Sequence, residues 1–557
     1  MSPKRNRRLT WAELRRIWMT PILILGAATC LFLGSTFVYD WMVHRPAASR
    51  HLGPLGLLLN YDLETLQNAL GNLAQTLAAV VGIVITVVAI VVQLAATRYT
   101  PRVTELFLRD RTNFVVLGFF VVSCVTAIWV SLAVGNGFLP KVSVVASVLC
   151  VTLSLLLMIP YFVYVFDFLD PEKVVSRIQD DALDAATPPM RDLQQAQLQV
   201  LGAVEHLADI AVAAVASQDK IISARAVDAL RVLLVSYTAN KAELPDVWHE
   251  PTPRLRENPD FVSMNPEALQ DLIRDHLWLE WKVLRQYQAI YNEALEGNPD
   301  MNYLIAIDTR YLGEAALAHR SEGAIGLVVK FFNTYMRATL NKRQVRTAYN
   351  VMNQYRQLVE STVLSGRDGL VREIAGYFKY YGQVANGMGL NFVTETIAYD
   401  LAGLCELAHR HRSPAHDALL TSLLEMDREA EDEAQEAALR GVRKAQLRLA
   451  AYYLEHQDEP TARRIHKDME LERPERLVSI KRELERITSK DFWEVIDRGA
   501  NFDYMPPERR KELTTFFAWF PWSEDGVASE TRTAERPRPM PSRTATPAIA
   551  PAAPRKA

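Results

Sequence analysis

A cysteine and a histidine four positions apart have the residue types and the spacing of a metal site. Cys405 and His409 lie on one predicted helix, where one turn places a thiolate and an imidazole on the same side. A closed zinc site needs four ligands, and Arg410 and Arg412 would repel a cation there. We therefore predict an ordinary helix end with Cys405 and His409 as weak metal candidates, and we expect no cofactor.

No other pattern in the sequence is typical of catalysis. It contains no Walker motif, no His-Glu-x-x-His and no nucleophile elbow, so we predict that the protein is not an enzyme. The net charge is -3 and no strongly basic region stands out, which argues against a nucleic-acid partner. Cys30, Cys124 and Cys150 lie in apolar runs, a distribution unlike that of a disulfide framework.

Small and polar side chains form a stripe along one long apolar segment, residues 73–96. At about 100° per residue, one face of this segment carries Gln75, Ala79, Gly82, Thr86, Ala89 and Gln93. In an oligomer, such a face would line a water-filled pore. Alternatively, small residues allow helices to pack closely. We favour packing, because only Thr86 lies near the middle and its hydroxyl can bond the carbonyl of Gly82 one turn back.

A later apolar segment carries a matching stripe, which suits a packed bundle. Its members are Ser143, Ser147, Cys150 and Ser154. The apolar segments contain no ionisable residue in their interiors. This absence argues against an ion-coupled pump, and less strongly against a passive pore.

Four apolar segments are long enough to cross a membrane. They cover residues of about 17–39, 73–96, 114–134 and 142–166. About 20 helical residues span a hydrocarbon core of about 30 Å. Residues 1–170 are therefore predicted to form a bundle of four transmembrane helices.

Basic residues predict the orientation of these spans. The N-terminal arm and the loop between the second and third spans are rich in arginine, whereas the other two loops contain only Arg45, Arg50 and Lys141. By the positive-inside rule, both termini are cytoplasmic. The basic loop carries Arg98, Arg102, Arg109, Asp110 and Arg111. We predict that it anchors at the membrane surface, where the arginines meet lipid phosphates and pair with Asp110. The alternative is a linker that gates the second span.

The basic loop and its flanks resemble a known bacterial pattern. The resemblance is carried by Val92-Gln-Leu-Ala-Ala-Thr-Arg98-Tyr-Thr-Pro101-Arg102, Phe107-Leu-Arg109-Asp110-Arg111-Thr-Asn113 and Leu117-Gly118-Phe119. This block is similar to the signature of the domain-of-unknown-function 2254 family, predicted bacterial membrane proteins with four spans. Leu207-Ala-Asp209-Ile210-Ala211 resembles the start of that family's second block, although the Ser-Pro and Asn-Asp-Pro that normally follow are absent. The resemblance implies an inner-membrane protein with a cytoplasmic region, and it implies no reaction.

The remaining sequence is predicted to be mostly helical. Residues 171–523 have the pattern of a large cytoplasmic helical domain, and no exact period is evident. An α-solenoid-like array and an irregular helical bundle therefore both remain open. Aromatic residues 516–522 are predicted to close the helical core or to dock near the membrane. Residues 524–557 are rich in Pro, Ala and Arg and are predicted to be a disordered tail.

We predict an all-α integral membrane protein whose cytoplasmic domain is a scaffold or sensor for protein partners. The protein is expected to be a homo-oligomer in the lipid bilayer. The alternative is an oligomeric ion channel or pore that is lined by the second span and gated by the cytoplasmic domain.

Overall fold

The structure is a computed structural model whose described elements are all helices, which confirms the all-α prediction. The described residues are Leu23, Ala27, Leu31, Ser35, 62–98, 102–134, 141–187, 192–427, 439–470, 472–491, 498–499 and 501–522. The chain divides into two compact units, Met1–Tyr335 and Met336–Ala557. The predicted boundary at residue 170, where the membrane part gives way to the cytoplasmic part, stays a prediction. The predicted tail, 524–557, lies outside the described residues.

Three long apolar helices contain three of the predicted spans. They are α1 (Leu63–Arg98), α3 (Arg111–Ala133) and α4 (Lys141–Phe168), and the short α2 (Arg102–Arg109) lies between the first two. α1 has 36 residues, which makes it about 54 Å long. Since the hydrocarbon core is about 30 Å thick, α1 extends beyond it.

The fourth described helix that is long and apolar enough to cross a membrane is α6 (Leu193–Ala216), which was predicted as a cytoplasmic helix. In its most apolar stretch 56% of the residues are buried, against 22–28% in α1, α3 and α4. Protein therefore covers most of the apolar surface of α6. The apolar side chains of the other three helices remain exposed, as expected for helices in lipid.

The predicted first span, residues 17–39, lies almost entirely outside the described residues. Within it the structure describes Leu23, Ala27, Leu31 and Ser35, which are all helical and exposed. These four positions follow one another at intervals of four residues, so they share one face of a helix.

α1, α3 and α4 pack against one another through small and β-branched side chains. The buried face of α1 consists of Leu70, Ala74, Leu77, Val81, Val84, Val88 and Val92. The other two helices contribute Val116, Phe120, Ala127, Val130, Val144 and Val151. Small residues let helix backbones approach closely, which stabilises helix pairs in lipid through van der Waals contact.

Residues 171–294 of the first unit form a set of packed helices. They are α5 (Pro171–Ala185), α6, α7 (Lys220–Asn240), α8 (Asp246–His249), α9 (Pro253–Arg256), α10 (Pro259–Val262), α11 (Pro266–Arg274) and α12 (Trp278–Ala294). Aspartate side chains cap the starts of α5, α6 and α7 at Asp170, Asp192 and Asp219. Each accepts an otherwise unpaired backbone N–H, which explains why the helices begin there.

The next five helices repeat with a period of 23 residues. They are α13 (Pro299–Ala318), α14 (Glu322–Asn341), α15 (Val345–Leu364), α16 (Asp368–Gly387) and α17 (Asn391–Arg410). Each has 20 residues, and their first residues, 299, 322, 345, 368 and 391, are separated by 23 positions. The second residue after each helix has a positive φ, at Arg320, Arg343, Gly366, Gly389 and Arg412. The residue after it donates its N–H to the carbonyl five positions back, as in a Schellman motif.

Buried side chains follow the same period. Ile305, Val328, Val351, Ile374 and Ile397 are successive equivalents, and each is at most 2% exposed. Within the second unit, α15 packs on both α16 and α17. A helix that contacts its next two successors is typical of stacked helical repeats, so the α-solenoid-like alternative describes this part of the chain.

Five further helices complete the described part of the second unit. They are α18 (His416–Leu424), α19 (Arg440–Glu455), α20 (Glu459–Met469), α21 (Pro474–Arg486) and α22 (Pro507–Phe517). Phe516, Phe517 and Phe520 are buried, and the ring of Phe516 lies 5.7 Å from that of His466. Of the two predicted roles of this aromatic cluster, closure of the helical core is confirmed for the three phenylalanines, and docking near the membrane stays a prediction.

Candidate functional site at the membrane-surface loop

Asp110 connects the loop between α2 and α3 to α4. Its Oδ1 accepts the backbone N–H groups of Thr112 (2.9 Å) and Asn113 (3.2 Å), which caps the start of α3. The same oxygen accepts the hydroxyl of Tyr164 at 2.5 Å. One carboxylate thus ends the loop, begins a helix and holds a second helix.

Asn113 forms a second connection between the same elements. The hydroxyl of Tyr161 donates to its Oδ1 at 2.5 Å, and its Nδ2 donates to the carbonyl of Phe107 at 3.4 Å. Tyr161 and Tyr164 are three residues apart on α4, so they lie on one face. Each tyrosine donates a hydrogen bond to a residue of the segment 107–113, which is part of the sequence that resembles the family signature.

Arg177 extends this junction to α5. Its Nη1 donates to the carbonyl of Phe168 at 3.0 Å, and its guanidinium lies 3.8 Å from the centre of the Phe168 ring. The Phe168 ring meets Phe107 edge-on at 5.5 Å. Burial lowers the pKa of Arg177, while nearby Tyr164 and Asp110 oppose that effect. The loop, the end of α4 and the start of α5 therefore form one polar and aromatic joint, which we call the membrane-surface joint after the predicted position of its loop.

The hydrogen bonds of the membrane-surface joint connect helices to one another and leave no obvious group for catalysis among the residues named. Asp110 accepts three hydrogen bonds, and Asn113 uses both ends of its amide. Arg98, Arg102 and Arg109 lie at the ends of α1 and α2, where the structure describes the backbone only, and Arg111 is exposed. The predicted pairing of these arginines with Asp110 or lipid stays a prediction. Sequence reasoning did not link Tyr161, Tyr164 or Arg177 to the loop, since no local pattern connects residues so far apart in the chain.

The polar stripe of α1 lies outside the face that packs on α3 and α4, although Gln75 borders a groove that α3 also lines. Gln75, Ala79, Gly82, Thr86, Ala89 and Gln93 are all exposed, although α1 packs through its opposite face. The hydroxyl of Thr86 donates to the carbonyl of Gly82 at 2.8 Å, which confirms the predicted bond. Among the described helices, this stripe is not a packing surface.

The stripe of α4 behaves differently. Ser147 and Ser154 are buried, Cys150 is half-buried and Ser143 is exposed. Ser154 bonds the carbonyl of Cys150 at 2.8 Å. Close packing therefore accounts for most of this second stripe, as predicted.

Cys405 is a core residue of the helical repeat. The 23-residue period makes it equivalent to Gly313, Met336, Val359 and Gly382, and it is fully buried. Burial raises the pKa of its thiol. His409 lies instead beside Tyr452, whose hydroxyl is 3.2 Å from its Nδ1. Within the described ranges, no three His, Cys, Asp or Glu side chains are placed to share a metal ion.

A cavity of about 670 Å³ lies between α18, α19 and α20. Arg443 crosses it, with its two terminal nitrogens 2.5 Å from Asp427 and 2.5 Å from Glu472. Burial raises the pKa of Asp427 to about 6. The lining carries three carboxylates and three cationic groups, so its charge favours neither an anion nor a cation.

The apolar helices and the joint at their end define a helical membrane protein. Residues 15–220 match the model of a family described as a predicted membrane protein (DUF2254), which confirms the resemblance seen in residues 92–119. The matched residues contain the whole membrane-surface joint, including Arg177, and they end at residue 220, before the 23-residue repeat begins at residue 299. No curated protein matches the chain, and no solved structure matches it.

Proposed function

We propose that the protein is a membrane-anchored scaffold, whose helical repeat is held at the cytoplasmic face of a bacterial inner membrane and binds protein partners there. The 23-residue repeat of α13–α17 is the observation that carries this proposal. Stacked helical repeats create extended surfaces that bind other proteins and need no catalytic residue.

The membrane-surface joint supports the anchoring part of the proposal. α5 begins three residues after α4 ends, and Arg177 fixes the two to each other. The tyrosines of α4 hold the loop that precedes α3. A sensor that passes a signal between lipid and the helical region would need such a connection. The arginine-rich loop supports a cytoplasmic position for this end of the helices.

Reporter fusions at the C-terminus of the full chain test the orientation. We expect a fluorescent reporter to be active and a secreted phosphatase to be inactive. An active phosphatase would reverse the orientation and contradict the proposal.

Partner binding is tested with the full chain in vesicles. We expect proteins that bind wild-type vesicles to be lost when the exposed residue Phe392 of α17, whose ring lies 5.5 Å from that of Tyr349 on α15, is replaced by Asp. Lys511→Glu, also exposed but on α22, is the matched control. Equal binding by all three proteins would argue against a scaffold built on the repeat.

The second candidate is a pore formed by several copies around the stripe of α1. The exposure of all six stripe residues favours it. Cysteine at Thr86 should cross-link between copies, whereas cysteine at the buried Val84 should not. A liposome flux that Thr86→Leu or Gln93→Leu abolishes would support conduction, and no flux from cross-linked oligomers would reject it.

A further inference from the structure

Residues 498–499 and 501–505, which we call the strap, cross one face of the helical repeat. The described part of the strap contacts α15, α17 and α19. α15 and α17 are alternate helices of the array, and alternate helices share one face of a stacked repeat. The strap therefore lies along one extended face of the array, and repeat proteins use extended faces of this kind to bind other proteins.

Arg498 anchors the first end of the strap. Its Nη1 lies 2.5 Å from Oδ1 of Asp400, and its Nη2 donates to the carbonyl of Tyr349 at 2.8 Å. The guanidinium also stacks 4.3 Å from the centre of the Tyr349 ring. Asp400 is only 3% exposed, and burial raises its pKa although Arg498 and Arg356 oppose this.

Phe502 and Asp503 anchor the other end. The Phe502 ring stacks on Tyr399, with ring centres 5.1 Å apart and planes 12° from parallel. Arg448 donates to the carbonyl of Phe502 at 2.7 Å. The hydroxyl of Tyr399 donates to Asp503, which also lies 3.2 Å from Nζ of Lys444. The face thus has separate sites for a cation, a ring and a carboxylate.

The strap satisfies these sites incompletely. Oδ2 of Asp400 is buried and has no hydrogen-bond partner among the described residues, and the same is true of Nε of Arg498. An arginine of another peptide that bonds both oxygens of Asp400, through two parallel hydrogen bonds from Nε and one Nη, would give Oδ2 of Asp400 a partner. The Nε of that arginine would be paired as well. An unpaired buried polar atom costs free energy, so a peptide that pairs this oxygen is expected to bind the face with higher affinity than the strap does.

We propose that the face formed by α15, α17 and α19 binds an extended segment of a partner protein, and that the strap is a built-in competitor for it. The partner segment presents an arginine and, four and five residues later, an aromatic residue and a carboxylate. This inference rests on the proposed scaffold function and names its binding surface.

The test uses the full chain in detergent and a fluorescent peptide with the sequence of residues 498–505. In one variant Arg498, Phe502 and Asp503 are all replaced by Ala, which empties the face. We expect the peptide to bind this variant at least tenfold more tightly than it binds wild type. Adding Asp400→Asn should then weaken binding about tenfold or more, as expected when a charge-assisted hydrogen bond is lost.

The controls separate binding at the face from other effects. Arg372→Gln changes an exposed residue of α16 and should leave peptide binding to the emptied variant unchanged. A peptide of scrambled sequence should not bind. Equal affinity for wild type and the emptied variant, or binding that survives Asp400→Asn, would overturn the proposal.

Folding of the emptied variant is checked by its thermal unfolding, with Arg498→Ala as a milder variant. If both fail to fold, the strap is a structural closure and the proposal is wrong. If the peptide binds as expected but vesicles recruit no partner, the scaffold function fails and the peptide-binding face remains. If vesicles recruit partners but the peptide does not bind, the scaffold remains and the strap is not a competitor.

Discussion

At the residue scale, Asp110 combines a helix cap with a contact between helices. Its Oδ1 caps α3 through Thr112 and Asn113 and accepts the Tyr164 hydroxyl from α4. A cap alone contributes about 0.5–2 kcal/mol, and loss of the aspartate would also leave Tyr164 without this acceptor. Asp110 is therefore more important for the fold than the exposed Arg111 beside it.

Asp110→Ala should lower the stability of the protein by about 1–3 kcal/mol, because the cap and the bond to Tyr164 are lost together. Tyr164→Phe should have a smaller effect, since the cap remains. Thermal unfolding in detergent measures both. Arg111→Gln is the control, and an equal loss of stability in that variant would contradict the role given to Asp110.

The positive φ of Arg320 leads to a second prediction at the residue scale, about the stability of a glycine variant. Side chains other than glycine are strained in that conformation, and the equivalent positions of two later repeats are Gly366 and Gly389. Arg320→Gly should therefore be neutral or stabilise the protein by up to about 1 kcal/mol. Arg372→Gly, in the second turn of α16, should destabilise it by about 1 kcal/mol. Chemical unfolding measures the free energy of unfolding of both variants. Arg320→Gly should leave it unchanged or raise it, whereas Arg372→Gly should lower it; an equal decrease in both variants would contradict the strain assigned to Arg320.

At the element scale, a histidine pair links the short α8 to the end of α11. The rings of His249 and His276 stack 4.1 Å apart, and Nδ1 of His249 lies 3.4 Å from the hydroxyl of Tyr237 on α7. Burial, followed by His276 and Lys241, lowers the pKa of His249 from 6.5 to about 4. His249 is thus neutral in the folded protein over a pH range in which it is protonated in the unfolded chain.

This difference predicts how stability depends on pH. Between pH 6.5 and about 4, the unfolded chain binds a proton at His249 that the folded protein does not. The contribution of His249 is therefore complete above pH 6.5 and is lost as the pH falls toward 4, by at most about 3 kcal/mol. In thermal unfolding from pH 7 to pH 4.5, His249→Gln should lose less stability than wild type. The exposed His319→Gln should follow wild type, and parallel curves for all three would refute the assignment.

At the scale of the whole molecule, the helical region depends on a C-terminal closure. α22 packs on α19 and brings Phe516 and Phe517 into the core of the second unit. Deletion of a buried phenylalanine side chain costs about 3–5 kcal/mol. The last described residues are therefore part of the fold, whereas residues 523–557 are predicted to be dispensable.

Two truncations separate these regions. A chain ending at Trp522 should unfold at the same temperature as wild type. A chain ending at Pro506 lacks α22 and should lose at least 3 kcal/mol or its cooperative transition. Circular dichroism during heating measures both, and equal stability of the two truncations would show that α22 does not close the core.

The sequence by itself determined the helical class, three of the described apolar helices and the resemblance to a membrane-protein family. These properties follow from local length and composition, because an uncharged run either can or cannot cover the thickness of a bilayer. The bond from Thr86 to Gly82 was also predictable, since its partners are one turn apart. The 23-residue period is present in the sequence at buried positions such as Ile305, Val328 and Val351. It is hard to recognise there because the residues between these positions differ from one repeat to the next.

Only the tertiary structure decided which face of α1 is buried and which side chains meet across the chain. Tyr164 reaches Asp110 over 54 residues, and Arg498 reaches Asp400 over 98. Such contacts depend on how each helix is rotated against its neighbours, and many residues together set that rotation. The same reason explains why two similar stripes, on α1 and α4, have different surroundings.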